Sequence, residues 1–225
     1  MTKAPLPSAM RLYGTRSERL YINQSERERL IALAEDKEPS LRAFVLTLIY
    51  TGCRISEALE LTESSLQKDE CILSIRTLKR RTFHMREIPV PPQLVSALEE
   101  HLRCKGGRLA LSKTKNYEKA NPEPEKQSFP KNQNNTPLWR NEAGEPINRI
   151  TAYRWIKEIM GEANIHGACA SPKGLRHGFG IHAVSSGVPL TLVAKWMGHS
   201  SIKTTAIYTN AVGEEERKLA GRMWA

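Results

Sequence analysis

The stretch from Ser171 to Asn210 constrains the fold of this chain most, because helix start and stop signals divide it into short helices. Ser171 followed by Pro172 is a typical helix start, with the serine as N-cap and the proline at the first helical position. Pro189 breaks this helix and Gly198 ends the next one. The chain must therefore turn twice within this stretch, which brings the side chains of consecutive helices together.

Four polar side chains in this stretch indicate a site for a phosphate. Lys173 and Arg176 are three residues apart, so they share one face near the helix N-terminus. That end is already electropositive, and two cations there destabilise the helix unless an anion binds. His199 follows the next glycine, and Tyr208 offers a hydroxyl nucleophile. We interpret the group as part of a phosphodiester site.

The chain before this stretch begins with an arm and two helices. We expect residues 1–22, which are polar and contain proline, to form a poorly ordered N-terminal arm. Asn23 and Glu26 form a capping-box pattern that starts a helix, and a later apolar helix ends at Gly52. Arg54 follows at the corner, where it either projects into a cleft or pairs with Glu57.

The period of the hydrophobic pattern changes between Cys71 and Pro91. Two β-branched runs with alternating polarity predict an antiparallel β-hairpin. With helices elsewhere, the predicted fold class is α+β, mostly α-helical. The hairpin tip and its flanks are basic, which favours a finger into a DNA groove. The residues concerned are Lys79, Arg80, Arg81, His84 and Arg86.

The remaining segments are predicted from composition and spacing. Residues 105–137 lose periodicity and read as a flexible loop. A helix over 149–162 follows, with an inward face expected to consist of Ile150, Tyr153, Ile156, Ile159 and Met160. Residues 214–225 indicate a short amphipathic tail helix.

The charge balance favours a polyanionic partner, most simply double-stranded DNA. Lys and Arg number 34 against 24 Asp and Glu, which gives a formal charge of +10. The sequence has no apolar run long enough to cross a membrane and no signal peptide. The four cysteines form no CxxC pair, which argues against zinc and favours a reducing compartment. We therefore expect a cytoplasmic, DNA-associated protein.

The chemistry of such a site needs a nucleophile, charge stabilisation and a proton donor. Tyrosine is a weak nucleophile at neutral pH, with a pKa of about 10, so it needs a phosphate polarised by cations. Arg54 and Arg176 are suited to clamp the non-bridging oxygens. His199 could donate a hydrogen bond to the same phosphate, and a lysine could protonate the leaving oxygen. No metal ligands are required.

The segments TGCRISEALEL (51–61) and 173–210 resemble the two signature boxes of the tyrosine recombinases, the phage integrase family. The resemblance implies the tyrosine-recombinase catalytic fold over residues 23–213 and cleavage through a 3′-phosphotyrosine, without metal or high-energy cofactor. The implied catalytic residues are Arg54, Lys79, Lys173, Arg176, His199 and Tyr208. Lys79 matches the general acid of the family's hairpin, with Arg80 and Arg81 as neighbouring alternatives. Expected DNA contacts are Arg80, Arg81, Arg86 and His177.

Two departures from the family pattern affect these expectations. The second box usually opens H-x-x-R, but here Lys173 takes the first position, as in the related type IB topoisomerases. A lysine keeps a phosphate donor but cannot accept a proton near neutral pH, so we expect activity with a different proton path. Residues 1–22 also leave no room for the family's N-terminal DNA-clamping domain. The chain in this respect resembles compact members such as the bacterial fimbrial inversion recombinases.

The resemblance also implies partners and leaves two other functions open. Family members act as tetramers on two DNA sites and pass a C-terminal helix between subunits, which residues 214–225 could provide. Accessory DNA-bending proteins are further expected partners. The alternatives are a nicking–closing enzyme like topoisomerase IB and a DNA-binding regulator that does not cut. Among the other histidines, His177 and His182 are expected to form hydrogen bonds inside the fold, and His84, His101 and His166 to lie on the surface.

Overall fold

The computed structural model describes residues 11–78, 83–104, 136–141, 143–210, 214–221 and 223. The helices are α1 (Gln24–Glu35), α2 (Pro39–Thr51), α3 (Ile55–Leu59), α4 (Pro92–Arg103), α5 (Arg149–Glu162), α6 (Pro172–Ser185), α7 (Leu190–Met197), α8 (Ile202–Thr205) and α9 (Glu214–Gly221). Short 3-10 helices cover Glu63–Ser65 and Ala206–Asn210, and the strands are β1 (Leu66–Gln67), β2 (Ile72–Arg76) and β3 (Met85–Pro89). This confirms the predicted α+β class, mostly helical with a small antiparallel sheet. Within these described ranges, no helix is long and apolar enough to cross a membrane.

The helix boundaries follow the local signals in the sequence. Asn23 and Glu26 form both bonds of a capping box at the start of α1. The Ser171 hydroxyl accepts a hydrogen bond from the backbone of Gly174 at the start of α6. Gly52 and Gly198 end α2 and α7 with φ angles of 57° and 64°, a left-handed conformation that favours glycine. These caps place the corners at which the candidate site residues lie.

Helix α2 is the centre of the main core. It contacts α1, α4 and α6, and nine of its 13 residues are buried. Trp139 packs edge-on against Phe44 of this helix, with ring centroids 5.1 Å apart. A second core cluster lies around α6 and α7, with members Leu12, Tyr21, Phe179, Ile181, Ala183, Val193, Met197, Ile207 and Tyr208. The candidate nucleophile therefore belongs to a hydrophobic core.

The described part of the predicted arm is packed rather than poorly ordered. Leu12, Tyr21 and Ile22 are buried, and Tyr13 pairs with Arg19 in an isolated β-bridge. Leu12 and Tyr21 belong to the second core cluster and Ile22 to the main core, which the polar composition of residues 1–22 did not indicate. Residues 1–10 lie outside the described part of the chain.

The sheet has the strand order β1-β2-β3, and β2 pairs with β3 so that Ile75 lies opposite Arg86. Ile75 and Ile88 are buried, which confirms the predicted alternation. The tip residues Lys79, Arg80 and Arg81 lie outside the described residues, as does the predicted loop from 105 to 135.

Three side chains face the opposite way from the sequence prediction. His101 is buried rather than on the surface, because Ser40 and the Leu138 carbonyl bond its two ring nitrogens at 2.9 and 2.8 Å. Ile150 and Tyr153 are 57% and 43% exposed, although helical spacing predicted that they face inward. The other three predicted residues, Ile156, Ile159 and Met160, are buried as expected, together with Ala152.

Candidate active site

A cavity of about 570 Å³ opens where the α2–α3 corner meets α6 and the turn after α7. Five of the six predicted catalytic residues line it: Arg54, Lys173, Arg176, His199 and Tyr208. The sixth, Lys79, lies outside the described residues. The structure thus brings together side chains that are more than 150 positions apart in the sequence.

Arg54 reaches the cavity from the break between α2 and α3. The left-handed turn at Gly52 changes the chain direction, so that Arg54 becomes the N-cap residue of α3. Its guanidinium forms an ion pair with Glu57 at 2.6 Å while a quarter of the side chain stays exposed. The sequence left open whether Arg54 projects into a cleft or pairs with Glu57. In the structure it does both, because it pairs with Glu57 and also lines the cavity.

Glu57 is a buried carboxylate between two arginines. Besides Arg54, it pairs with Arg86 at 2.6 Å, and the side chains of Glu57 and Arg86 are 0% and 1% exposed. Burial raises the pKa of Glu57, but Arg86 and Arg54 more than offset this effect, so the net pKa lies below its usual value. The group is therefore an ionised carboxylate that fixes the direction of Arg54.

Arg86, which the sequence predicted as a DNA contact, is turned into the protein interior. It is buried, and it donates to Glu57, to the Thr77 hydroxyl at 2.8 Å and to the Trp196 carbonyl at 2.7 Å. These bonds connect strand β3 to the Arg54 corner and to α7. The sequence did contain an indication of this burial. Arg86 lies two residues before the buried Ile88, so both side chains are on the same face of strand β3.

Arg176 is held by two backbone carbonyls. It donates to Gly52 at 2.7 Å and to Met197 at 2.6 Å, so its plane is set by the ends of α2 and α7. Burial, and then repulsion from Arg54, lower the pKa of Arg176 to about 10, which leaves it charged at neutral pH. Two cations facing one cavity favour an anion between them.

Lys173 lines the same cavity from the first turn of α6, where its side chain is exposed. Its ammonium adds to the positive end of the helix dipole. The i and i+3 positions of Lys173 and Arg176 on one helix face, predicted from spacing, are therefore present in the structure.

His199 follows Gly198 in the turn after α7. Its Nδ1 hydrogen-bonds to the Thr205 hydroxyl at 2.9 Å, which orients the ring. Burial, and then the nearby Arg176 and Arg54, lower the pKa of His199 to about 3, so the ring is neutral. A neutral imidazole can donate one hydrogen bond to a phosphate oxygen.

Tyr208 lies in the 3-10 helix Ala206–Asn210 and is only 2% exposed. Its ring stacks nearly parallel to His199 and packs on Gly180, where a Cβ atom would come within 2.6 Å of the ring. Burial raises the pKa of Tyr208 to about 12, against the opposing influence of Arg176 and Arg54. The phenol is therefore protonated at neutral pH and must lose its proton to act as a nucleophile.

Two expectations applied to His177, a contact with DNA and a hydrogen bond inside the fold. It is 4% exposed and lines the cavity, and its Nδ1 lies 3.2 Å from the Tyr208 hydroxyl. The next position after Arg176 on α6 points toward the second core cluster rather than toward solvent. The expectation that His177 bonds inside the fold agrees with this contact.

Comparison with known proteins gives consistent matches. The model of the phage integrase family matches residues 20–215. Tyrosine recombinase XerD of Corynebacterium glutamicum is 29% identical over 178 residues, which are 79% of this chain and 50% of the relative. Tyrosine recombinase XerA of Pyrococcus furiosus is 25% identical over 205 residues, 89% of this chain and 60% of the relative. The chain thus spans half to three fifths of these curated relatives.

Solved structures show the same fold. The crystal structure of XerA recombinase superposes with a TM-score of 0.70 at 24% identity, covering 100% of this chain and 67% of that chain. XerH site-specific recombinase, bound to its palindromic difH substrate after cleavage, gives a TM-score of 0.68 at 20% identity, covering 93% and 55%. At identities of 24% and 20%, the similarity to these two structures establishes the fold of the chain and nothing beyond it.

Proposed function

The chain belongs to the phage integrase family, and we propose that it is a site-specific DNA recombinase that breaks and rejoins DNA through Tyr208. The observation that carries this proposal is the convergence of Arg54, Arg176, Lys173 and His199 on the cavity that Tyr208 lines. The net charge of +10 supports a DNA partner. The XerH relative, whose structure was solved with difH DNA, supports it as well. The four cysteines are free, which is typical of proteins in a reducing compartment, and we propose that the protein acts on DNA in the cytoplasm.

The proposed reaction uses these side chains as follows. Arg54 and Arg176 hold the non-bridging oxygens of the scissile phosphate and stabilise the charge that builds there in the pentavalent transition state. The Tyr208 oxygen bonds to phosphorus while the bond to the 5′-oxygen breaks. The 5′-oxygen takes a proton from Lys79, and a 5′-hydroxyl of the partner strand later attacks the phosphotyrosine. His199 and Lys173 donate hydrogen bonds to the phosphate.

Tyr208→Phe tests this proposal. On a nicked suicide substrate, we expect the wild-type protein to form a covalent protein–DNA adduct and the variant to form none, because phenylalanine has no hydroxyl to attack with. Denaturing gels report the adduct, and a mobility-shift assay checks that DNA binding is equal. An adduct that persists in the variant would contradict the proposal, as would its absence from the wild type on DNA that flanks the gene. Relaxation of supercoiled DNA without strand exchange between two sites would instead indicate a nicking–closing enzyme.

We further propose that the active form is a tetramer on two DNA sites, in which each tail helix docks on the next subunit. In the single chain, α9 contacts α6 of its own catalytic domain. Beyond this helix, the side chain of Met223 is 81% exposed, so an apolar end remains for a neighbouring surface.

Deletion of residues 214–225 tests the exchange. We expect recombination to fall by at least about tenfold, because assembly on two sites loses its linking contacts. Binding to a single site should change by less than about threefold, since the cations of the cavity remain. Both quantities are measured on the same DNA, and an equal loss of both would count against exchange.

A further inference from the structure

The proton of Tyr208 needs an acceptor, and the structure offers one in direct contact. The His177 Nδ1 lies 3.2 Å from the Tyr208 oxygen, and this is the only hydrogen bond of the phenol within the described residues. Both side chains are buried, and their ring centroids are 5.8 Å apart. His177 also lines the cavity, so the contact lies beside the place proposed for the phosphate.

The other polar groups around Tyr208 are poor acceptors. Arg54, Arg176 and Lys173 are cations that only donate hydrogen bonds. The His199 ring lies nearly parallel to the phenol at an interplanar angle of 17°, and within the described residues no hydrogen bond joins its nitrogens to the Tyr208 oxygen. Its Nδ1 is also engaged with Thr205. Among these groups, His177 alone lies within hydrogen-bond distance of the phenol oxygen, and it accepts the phenolic hydrogen in the tautomer whose own proton is on Nε2.

We propose that His177 is a catalytic residue whose Nδ1 accepts the phenolic proton while the Tyr208 oxygen bonds to phosphorus. The inference rests on the proposed function. In cleavage, the P–O bond to Tyr208 forms, the P–O bond to the 5′-oxygen breaks, and the phenolic proton moves to His177. In rejoining, the 5′-hydroxyl attacks phosphorus and gives its proton back to Lys79, the bond to Tyr208 breaks, and His177 returns its proton to the phenol oxygen. This supplies the proton path that the lysine at position 173 cannot provide.

The charges around His177 are consistent with this role. Burial, and then Lys173 and Arg176, lower the pKa of His177 to about 4, so the ring is neutral and able to accept a proton. A DNA phosphate bound beside Lys173 and Arg176 would offset their repulsion and raise the basicity of His177. Arg176 and Arg54, the two arginines proposed to clamp the phosphate, oppose the effect of burial on the pKa of Tyr208.

The hydrogen-bond pattern of the ring is also informative. The His177 Nε2 is buried and has no hydrogen-bond partner within the described residues. When Nδ1 accepts from the phenol, Nε2 carries the proton of the neutral ring. Among the described residues, no carboxylate pairs with His177, so the imidazolium is short-lived and readily returns its proton in the rejoining step.

The test compares His177→Asn with the wild type in single-turnover cleavage of the suicide substrate. The asparagine amide places a hydrogen-bonding atom near the position of Nδ1 but cannot take up a proton. We expect the rate at pH 7 to fall by about a hundredfold, within the range for loss of a general base. His177→Ala is the second variant and should lose at least as much. Mobility shifts at each pH check that both variants still fold and bind DNA.

The pH dependence separates proton transfer from positioning. Lys173, Arg176, His199 and Tyr208, which face His177, are unchanged in the variant, so they contribute equally to both profiles. We expect the ratio of wild-type to His177→Asn rates to shrink as pH rises from 6 to 9, because hydroxide replaces the missing acceptor. A constant ratio, or a variant within about threefold of the wild type, would overturn the inference. If the wild type forms an adduct that depends on Tyr208, either result leaves the proposed function standing, whereas a wild type without adduct removes both.

Discussion

Arg176→Lys should lower the rate of covalent adduct formation by about a hundredfold to a thousandfold, the range for removal of one preorganised donor to a transition-state oxygen. Arg176 uses two of its donors on the Gly52 and Met197 carbonyls and still presents a charged plane to the cavity. The lysine ammonium is a single point charge and cannot hold both carbonyls and a phosphate in one fixed geometry. The charge is kept, so overall DNA affinity should change little.

The measurement is single-turnover cleavage, with DNA affinity determined in parallel at fixed salt. Arg103→Lys is the matched control, because Arg103 is an exposed residue at the end of α4 that does not line the cavity. It should cleave at the wild-type rate. If Arg176→Lys kept more than about a third of the wild-type rate, the clamp would contribute far less than a preorganised donor does.

Glu57→Gln should reduce the free energy of unfolding by about 3–5 kcal/mol, the usual cost of removing one partner of a buried ion pair. Glutamine has nearly the same shape, but it leaves the guanidinium of Arg86 buried without its counter-charge. Arg54 loses the same partner, so adduct formation should fall together with stability. Urea unfolding followed by circular dichroism measures the change.

A matched control lies one helical turn away. Glu60 pairs with Arg76 at 3.8 Å near the surface, so Glu60→Gln should cost less than about 1 kcal/mol. The pKa of Glu57 lies below its usual value in the folded protein, so its contribution is present above the pKa of the unfolded chain and is lost as pH falls through the folded pKa. The stability difference between wild type and Glu57→Gln should therefore contract in acid. A difference that stays constant between pH 7 and pH 3 would show that charge is not its cause.

Local signals predicted the helix boundaries because each cap depends on neighbouring residues only. Asn23, Ser171, Gly52 and Gly198 took the predicted roles, and the alternation of the hairpin predicted its buried face. These signals also placed the predicted site residues at the corners of the fold. These site residues then meet at one cavity because helices α2 and α6 pack against each other.

The buried polar residues could not be predicted in the same way. Arg86 and His101 have partners up to 110 positions away, so no short pattern shows that they are satisfied inside the protein. A basic residue in a hairpin suggests the surface until its counter-charge, here Glu57, is located in space. Helical spacing likewise gave an apolar stripe on α5 but not the edge at which burial stops, so Tyr153 was assigned to the wrong side.

The core position of Tyr208 has a consequence for which bond in a strand can be cut. A phenol on a mobile loop could follow the DNA and attack any of several phosphates along the backbone. Here the ring is wedged between Gly180 and His199, so its reach is short and its direction is set by the protein. In the proposed reaction, the DNA strand therefore has to bring the scissile phosphate to the phenol. Under this proposal, the fixed position of the Tyr208 ring means that the site of cleavage depends on how the DNA is bound to the protein and not on the nucleophile itself.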